Sequence, residues 1–364
     1  MTMRDVKIVA SVGLLCLCLL AATSRKGSAF DETWGAPVGG LQMSLAAFEE
    51  AGPQLEVRFR NVGESDTLLS LGEMVGRDSR QFPTRVHFIF RDEAGKEFDL
   101  SIGHPRVAGW AGEYSVPLRA GSTYGLKFRL NQLWSRDIAD AASPRLRPGR
   151  YRIYARFPGE GEKPRNWGET DVMSTNRWKG TLQSNLVTLE SDSNVTFEGD
   201  SGATKNAPMS GSPMSLAVSG KAGQAALEVT FRNTVERDTF LILGMMLANG
   251  REQIPTQVRF FFTDAAGKKN EFRFHDGRAG VAGRVDGFRV PLRAGSTYSL
   301  RFKLDELWSS SARTFASKLK AGKYQVSARF NGVGEKPRDW GKKEIALMNY
   351  WKWPFQSNSV TLQR

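Results

Sequence analysis

The chain predicts an all-β protein, two tandem antiparallel β-sandwiches behind a removable leader. Three observations carry this. Apolar and polar residues alternate with period two through most of the sequence, the mark of strands with one buried and one wet face. The same series of motifs occurs twice, at an offset of 172 to 174 residues. Stretches with helical periodicity are scarce, and turn signals punctuate the alternating runs. The 364 residues, 40% hydrophobic and 24% charged, have ordinary globular composition, which excludes collagen, a coiled coil and a polytopic membrane protein.

Residues 1–29 read as a signal peptide. Arg4 and Lys7 precede an apolar run from Ile8 to Ala22, too short for a typical spanning helix of about 20 residues and of the length of a secretory h-region. Gly27 and Ala29 offer a cleavage point. Both cysteines, Cys16 and Cys18, lie in this leader. The mature chain is therefore expected to lack disulfides, thiol nucleophiles and thiolate-bound metals, and to rest on its hydrophobic core alone.

The remainder divides into a first repeat (30–190), a linker (191–213) and a second repeat (214–364). Pro117–Tyr124 and Pro291–Tyr298 both read PLRAGSTY. Gly161–Gly168 (GEKPRNWG) returns as Gly334–Gly341 (GEKPRDWG). Phe59–Asn61 matches Phe231–Asn233, Leu71-Gly72 matches Leu243-Gly244, Trp134 matches Trp308, and Gln183–Leu189 matches Gln356–Leu362. So many matches in one order imply a tandem duplication. The linker is rich in Ser, Gly, Asn and Pro and has no periodicity, as a flexible connector does.

Within each repeat the inward sets are legible. Leu55, Val57 and Phe59 alternate with Glu56, Arg58 and Arg60. Val86, Phe88 and Phe90 form a second set, Tyr124, Leu126, Phe128 and Leu130 a third, and Tyr151, Ile153, Ala155 and Phe157 a fourth. Leu227–Phe231, Val258–Phe262, Tyr298–Leu304 and Tyr324–Phe330 repeat them. Seven to nine short strands per repeat argue for a sandwich that closes over its own interior. Short helix candidates are 131–135, its counterpart 305–309, and 312–319.

Leu146–Phe157 (LRPGRYRIYARF) and Leu319–Phe330 (LKAGKYQVSARF) resemble the corner before a late strand in immunoglobulin-like and fibronectin type III-like domains. The resemblance implies a Leu packed inside, a Gly turning the chain, and a Tyr whose hydroxyl bonds back to nearby backbone. The absence of a Cys–Trp–Cys pattern sets the chain apart from antibody domains. Trp178–Leu182 with Ser184-Asn185 also resembles the closing strands of secreted bacterial sandwich proteins. These are motifs of fold and imply no catalytic residue. The fold class expected is thus all-β, with two tandem immunoglobulin-like antiparallel β-sandwiches.

Chemistry-bearing patterns are few. His87 stands between Val86 and Phe88 and faces outward, with Arg259 in its place in the second repeat. His104 and His275 fall in equivalent loops but three positions out of step, which a shared zinc site or base does not tolerate. Asp92, Glu93, Glu97 and Asp99 form an acidic hairpin tip of oxygens that suit calcium, but the second repeat keeps only Asp264 and Glu271, so a solvated turn is expected. No nucleophile elbow or nucleotide-binding glycine motif occurs. No enzyme activity, metal or cofactor is expected.

Charge is where the copies diverge. Residues 34–190 hold 21 basic and 19 acidic side chains, whereas 214–364 hold 25 and 13. Glu169 and Asp171 of the first repeat give way to Lys342 and Lys343, and the loop then runs into Tyr350, Trp351, Lys352 and Trp353. Arg338, Trp340, Lys342, Lys343, Tyr350, Trp351, Lys352 and Trp353 are the candidate ligand-binding residues, because aromatics stack on sugar rings while interleaved cations hold anions. The competing reading packs these aromatics at one end of the sandwich. Outward Arg58, Arg60, Lys127, Arg129, Arg152 and Arg156 form a second basic candidate. The expectation is a secreted, non-enzymatic binding or structural protein of the cell envelope or exterior. It would meet a protein or an anionic polysaccharide, not nucleic acid, and a membrane only during export. The alternative is a secreted carbohydrate-active hydrolase using a carboxylate pair.

Overall fold

A computed structural model describes residues 33–48, 52–75, 80–103, 111–134, 145–159, 177–192, 194–196, 212–219, 225–247, 250–275, 285–332 and 350–364. The fold is all-β and antiparallel, as the alternation predicts. Every inward set named above is buried: Phe59, Phe88, Phe157, Phe231, Phe260 and Phe302 are at most 1% exposed.

One six-stranded sheet runs through both halves, in the order Leu41–Phe48, Gln54–Asn61, Thr123–Arg129, Thr297–Lys303, Ala226–Arg232 and Met214–Ser219. Its inner face packs on a second layer in each half. In the first half that layer is ordered Thr181–Gln183, Gly149–Pro158, His87–Arg91, Glu97–Ile102 and Leu133–Trp134. In the second it is ordered Thr314–Phe315, Leu307–Ser309, Lys269–Phe274, Val258–Thr263, Lys323–Phe330 and Phe355–Gln363. Edge-to-face rings lock the layers together, Phe59 on Phe157 (5.1 Å) and Phe88 on Phe128 (4.9 Å), with Phe231 on Phe330 (5.5 Å) and Phe260 on Phe302 (4.9 Å) as their counterparts. Two further three-stranded sheets are built on Thr67–Val75 and on Thr239–Leu247.

The halves do not close separately. Thr123–Arg129 pairs with Thr297–Lys303 through Thr123 opposite Ser299, Tyr124 opposite Tyr298 and Gly125 opposite Thr297. The buried apolar residues of both halves form one continuous cluster, and Trp34–Arg364 is one compact unit. The reading of two self-contained interiors is corrected accordingly. A strand ladder that stopped at Thr123–Arg129 would leave an unpaired edge, and the equivalent strand of the other copy covers it. Part of the expected linker is also strand, with Val195–Thr196 paired to Arg145–Leu146.

The repeated motifs are structural clasps. Asn61 of the first FRN donates to the Ser65 and Leu118 carbonyls (2.8 and 2.9 Å), and Asn233 does the same to Arg237 and Leu292 (2.9 and 2.8 Å). Asn185 pairs with both backbone groups of Leu45 on an edge strand, and Asn358 with those of Leu216. Gly72 and Gly244 sit where strand register shifts, at φ +150° and +156°, and a Cβ there would lie 2.2 Å and 2.0 Å from the Phe82 and Ile254 carbonyl oxygens. Only glycine fits. The corner tyrosines bond back four residues, Tyr151 to the Arg147 carbonyl (2.8 Å) and Tyr324 to that of Lys320 (3.1 Å).

The helix candidates are single 3-10 turns, Leu130–Gln132, Leu304–Glu306 and Ala316–Lys318. The first two run straight into strand, with Leu133 and Leu307 pointing inward and Trp134 and Trp308 less buried. A residue-by-residue alternation so close behind leaves no room for another helical turn. Among the described residues no helix is long and apolar enough to cross a membrane.

Candidate functional site

Of the eight candidate residues, Arg338, Trp340, Lys342 and Lys343 lie outside the described residues, as do both GEKPR motifs and His104. The other four stand at the entry to the last strand. The Trp351 backbone N–H donates to the Phe240 carbonyl (3.0 Å), and its ring meets Phe355 at 4.9 Å, packed against the core. Trp178 holds the same place in the first half. Its backbone donates to Leu68 (3.0 Å), its indole N–H donates to the Val38 carbonyl (3.2 Å), and its ring stacks on Phe157. Trp351 therefore serves packing. Lys352 lies over the Tyr350 ring at 5.2 Å, and Trp353, 74% exposed, stands free where the first half has Gly180.

The outward basic residues of the first half do not form one patch. Arg58, Arg60, Lys127 and Arg129 are on the shared sheet, and Arg152 and Arg156 on the other layer. Several are engaged locally: Arg58 with Glu56 (2.6 Å), Arg60 with Gln42 (2.8 Å) and the Trp34 ring, Arg156 with Asp99 (3.1 Å). The acidic hairpin is likewise occupied. Asp92 accepts from the Lys96 backbone (2.8 Å), Glu97 pairs with Arg91, and Asp99 takes His87 (2.9 Å) together with Arg156. Among the described residues no group of three or more His, Cys, Asp or Glu is placed to hold a metal ion.

The strand register assembles a feature of another kind. On the outer face of the second-half layer, Arg329 stands opposite Arg259, Arg259 opposite Arg273, Arg273 opposite Trp308, and Trp308 opposite Phe315. One row thus crosses five strands. The same row in the first half reads Arg156, His87, Ser101, Trp134. Beside the second row lies a partly open groove of about 470 Å³, lined by Phe261, Lys269, Glu271, Arg273, Trp308, Ser310 and Ser311. Glu271 holds Arg259 at 2.8 Å, and Lys269 lies over the Phe261 ring at 4.4 Å. Trp308 is braced by Phe315 (4.8 Å) and His275 (5.8 Å).

Sequence reasoning noticed that Arg259 replaces His87 but missed Arg273 and Arg329 as its neighbours. The available signal was their outward phase, shared with Arg259 in three separate alternating strands. Which outward residues face each other depends on register, and period-two alternation alone does not state it.

The fold and the site define an all-β protein of antiparallel sheets with a basic, aromatic-edged sheet face. No protein-family model matches the chain, and no curated protein matches it. Among solved structures the chain has limited similarity to a deletion mutant of Bacillus subtilis oxalate decarboxylase, at 12% identity over 75% of this chain and 74% of that one, with a TM-score of 0.13. A tandem of two CBM22 modules from Paenibacillus barcinonensis Xyn10C gives 9% identity over 91% and 94%, with a TM-score of 0.11. A hypothetical protein from Parabacteroides merdae gives 9% over 92% and 99%, also at 0.11. Overlaps at this level carry no argument about the fold or the activity of this chain.

Proposed function

We propose that this is an exported, non-enzymatic binding or structural protein of the cell envelope or exterior, built from immunoglobulin-like or fibronectin type III-like sandwiches. Its second half meets an anionic partner, a glycan or a protein. The domain kinship is supported by the two corner tyrosines, each bonded four residues back in its own half. The export reading is supported by the basic and apolar leader.

The observation that carries the binding role is the difference between the halves on one frame. Clasps, core rings and glycines are shared, so folding accounts for them. At matched outward positions, His87 and Ser101 are replaced by Arg259 and Arg273. Folding does not call for that exchange, and a basic field of this kind draws anionic partners by steering.

The test is retention of the mature full-length protein on immobilised anionic polysaccharide at low salt, against a neutral dextran matrix. Specific retention that falls as salt rises is the expected result. Equal retention on both matrices, or none, rules out the glycan form of the reading and leaves only a protein partner. Release of reducing ends from the polysaccharide would point to a hydrolase instead.

A further inference from the structure

We infer that the row Arg329–Arg259–Arg273, with Trp308 at its end, is the binding site for an acidic polysaccharide carrying one carboxylate on each sugar. This rests on the proposed binding role and adds a site and a ligand class to it.

The row costs stability where it stands. Like charges directly opposite one another on neighbouring strands repel, and this row sets three arginines side by side. The first half shows the relaxed form of the same surface. There one arginine and one histidine share Asp99, at 3.1 Å and 2.9 Å, and the third position is Ser101. In the second half Glu271 occupies the place of Asp99 and takes Arg259 alone, at 2.8 Å. Arg273 and Arg329 are exposed and have no carboxylate partner among the described residues. Nothing in the packing requires them, since the inward neighbours Phe260, Phe272, Ala328 and Phe330 form the core.

The geometry selects the ligand. Adjacent strands lie about 4.8 Å apart, so the guanidinium groups are rooted at intervals close to the length of one pyranose residue in an extended chain. In a polymer with a carboxylate on every sugar, successive sugars turn about the chain axis, so the acid groups facing the protein recur at about two such intervals, the separation of Arg329 and Arg273 across the intervening Arg259 strand. All three residues are arginine, whose planar fork takes a planar carboxylate through two parallel hydrogen bonds, whereas lysine offers a point charge. The row runs into Trp308, an aromatic surface for the apolar face of a sugar, which Phe315 and His275 hold in place. The adjoining groove adds Lys269 and the exposed Ser310 and Ser311. It is partly open to solvent, as suits a chain lying across the sheet rather than a small molecule enclosed by it.

The experiment is calorimetric titration of the full-length mature protein with polygalacturonate, heparin and dextran. The variants are Arg259→His/Arg273→Ser, which installs the residues of the first half; Arg329→Gln; and Trp308→Ala. Thermal melts check that each is folded. Polygalacturonate is expected to bind, to weaken about tenfold for each arginine lost, and to weaken in Trp308→Ala. Arg329→Gln alone decides the point if the double variant does not fold. Unchanged polygalacturonate binding in the arginine variants overturns this site and leaves the binding role standing. Binding of heparin but not polygalacturonate overturns the carboxylate assignment. Binding of neither polyanion overturns both the site and the glycan form of the proposed function.

Discussion

Tyr124 and Tyr298, the last residues of the two PLRAGSTY motifs, stand directly opposite each other where the halves join. Each phenol crosses to the other copy's motif. Tyr124 donates to the Pro291 carbonyl (2.9 Å), and Tyr298 donates to that of Pro117 (3.0 Å). The reciprocity extends outward. Arg119 reaches the Arg301 carbonyl (2.8 Å) and Arg293 that of Lys127 (3.2 Å). The Gln253 backbone donates to Asp66 (2.6 Å), and that of Gln81 to Asp238 (2.7 Å). This is the logic of a two-fold symmetric interface, written within one chain.

The symmetry breaks at one atom. Tyr124 gives its only hydroxyl proton to Pro291, so at 2.6 Å it must accept from Tyr114, whose counterpart is Phe288. Burial pushes all three phenols above the usual range, so they remain protonated donors. Tyr124→Phe strands both the Tyr114 hydroxyl and the Pro291 carbonyl and is expected to cost about 2–3 kcal/mol. Tyr298→Phe strands the Pro117 carbonyl and loses the phenol's contact with the Ser122 hydroxyl, but leaves no second buried phenol unpaired, and costs about 1 kcal/mol. Urea denaturation of the two variants measures the gap; equal costs would contradict the proton assignment.

Asp66 makes the seam sensitive to pH. Burial raises its carboxyl above the ordinary 3.8, against the opposing pull of the Ala120 and Gln253 backbone donors. The folded state then holds this proton more tightly than the unfolded chain. Its contribution is full below pH 3.8 and is lost as pH rises through the higher folded-state value. The stability of the wild type minus that of Asp66→Asn should fall across this window in urea titrations at stepped pH. A rise would show that the backbone bonds outweigh burial.

Gly72→Ala drives a methyl group against the Phe82 carbonyl and Thr84, and it does so in a left-handed conformation. A loss of about 3 kcal/mol is expected, visible as a lower melting temperature. Gly95→Ala, at a hairpin tip with open space around it, should cost only about 1 kcal/mol for its positive φ.

The neighbouring tryptophans should separate cleanly. Trp351→Ala removes a ring packed on Phe355 and the core and should cost about 2 kcal/mol or more. Trp353→Ala touches an exposed ring and should change stability by about 0.5 kcal/mol at most. Thermal melts of both variants decide this; equal losses would mean that Trp353 also packs.

The buried face of each strand was legible because alternation is a local property. Phe88, Leu126, Ile153 and their counterparts needed only their neighbours in the chain to be placed inside. The duplication was legible too, but not its purpose. In the sequence FRN, LG and QSN are similarity alone; in the fold Asn61, Gly72 and Asn185 make contacts or fill spaces that other residues cannot. The candidate row was half legible. The excess charge of the second repeat is countable in the sequence, whereas the alignment of Arg273 and Arg329 with Arg259 depends on strand register.

By itself the amino-acid order determined the class of fold, the inward residues, the duplication and the uneven charge, since each follows from side chains a few positions apart or from simple comparison of two stretches. Only the tertiary structure decided that the two copies share one sheet and one core, and that three arginines and a tryptophan stand in line. Both depend on which strands pair and in what register, and that is settled by edges and faces brought together from residues far apart in the chain.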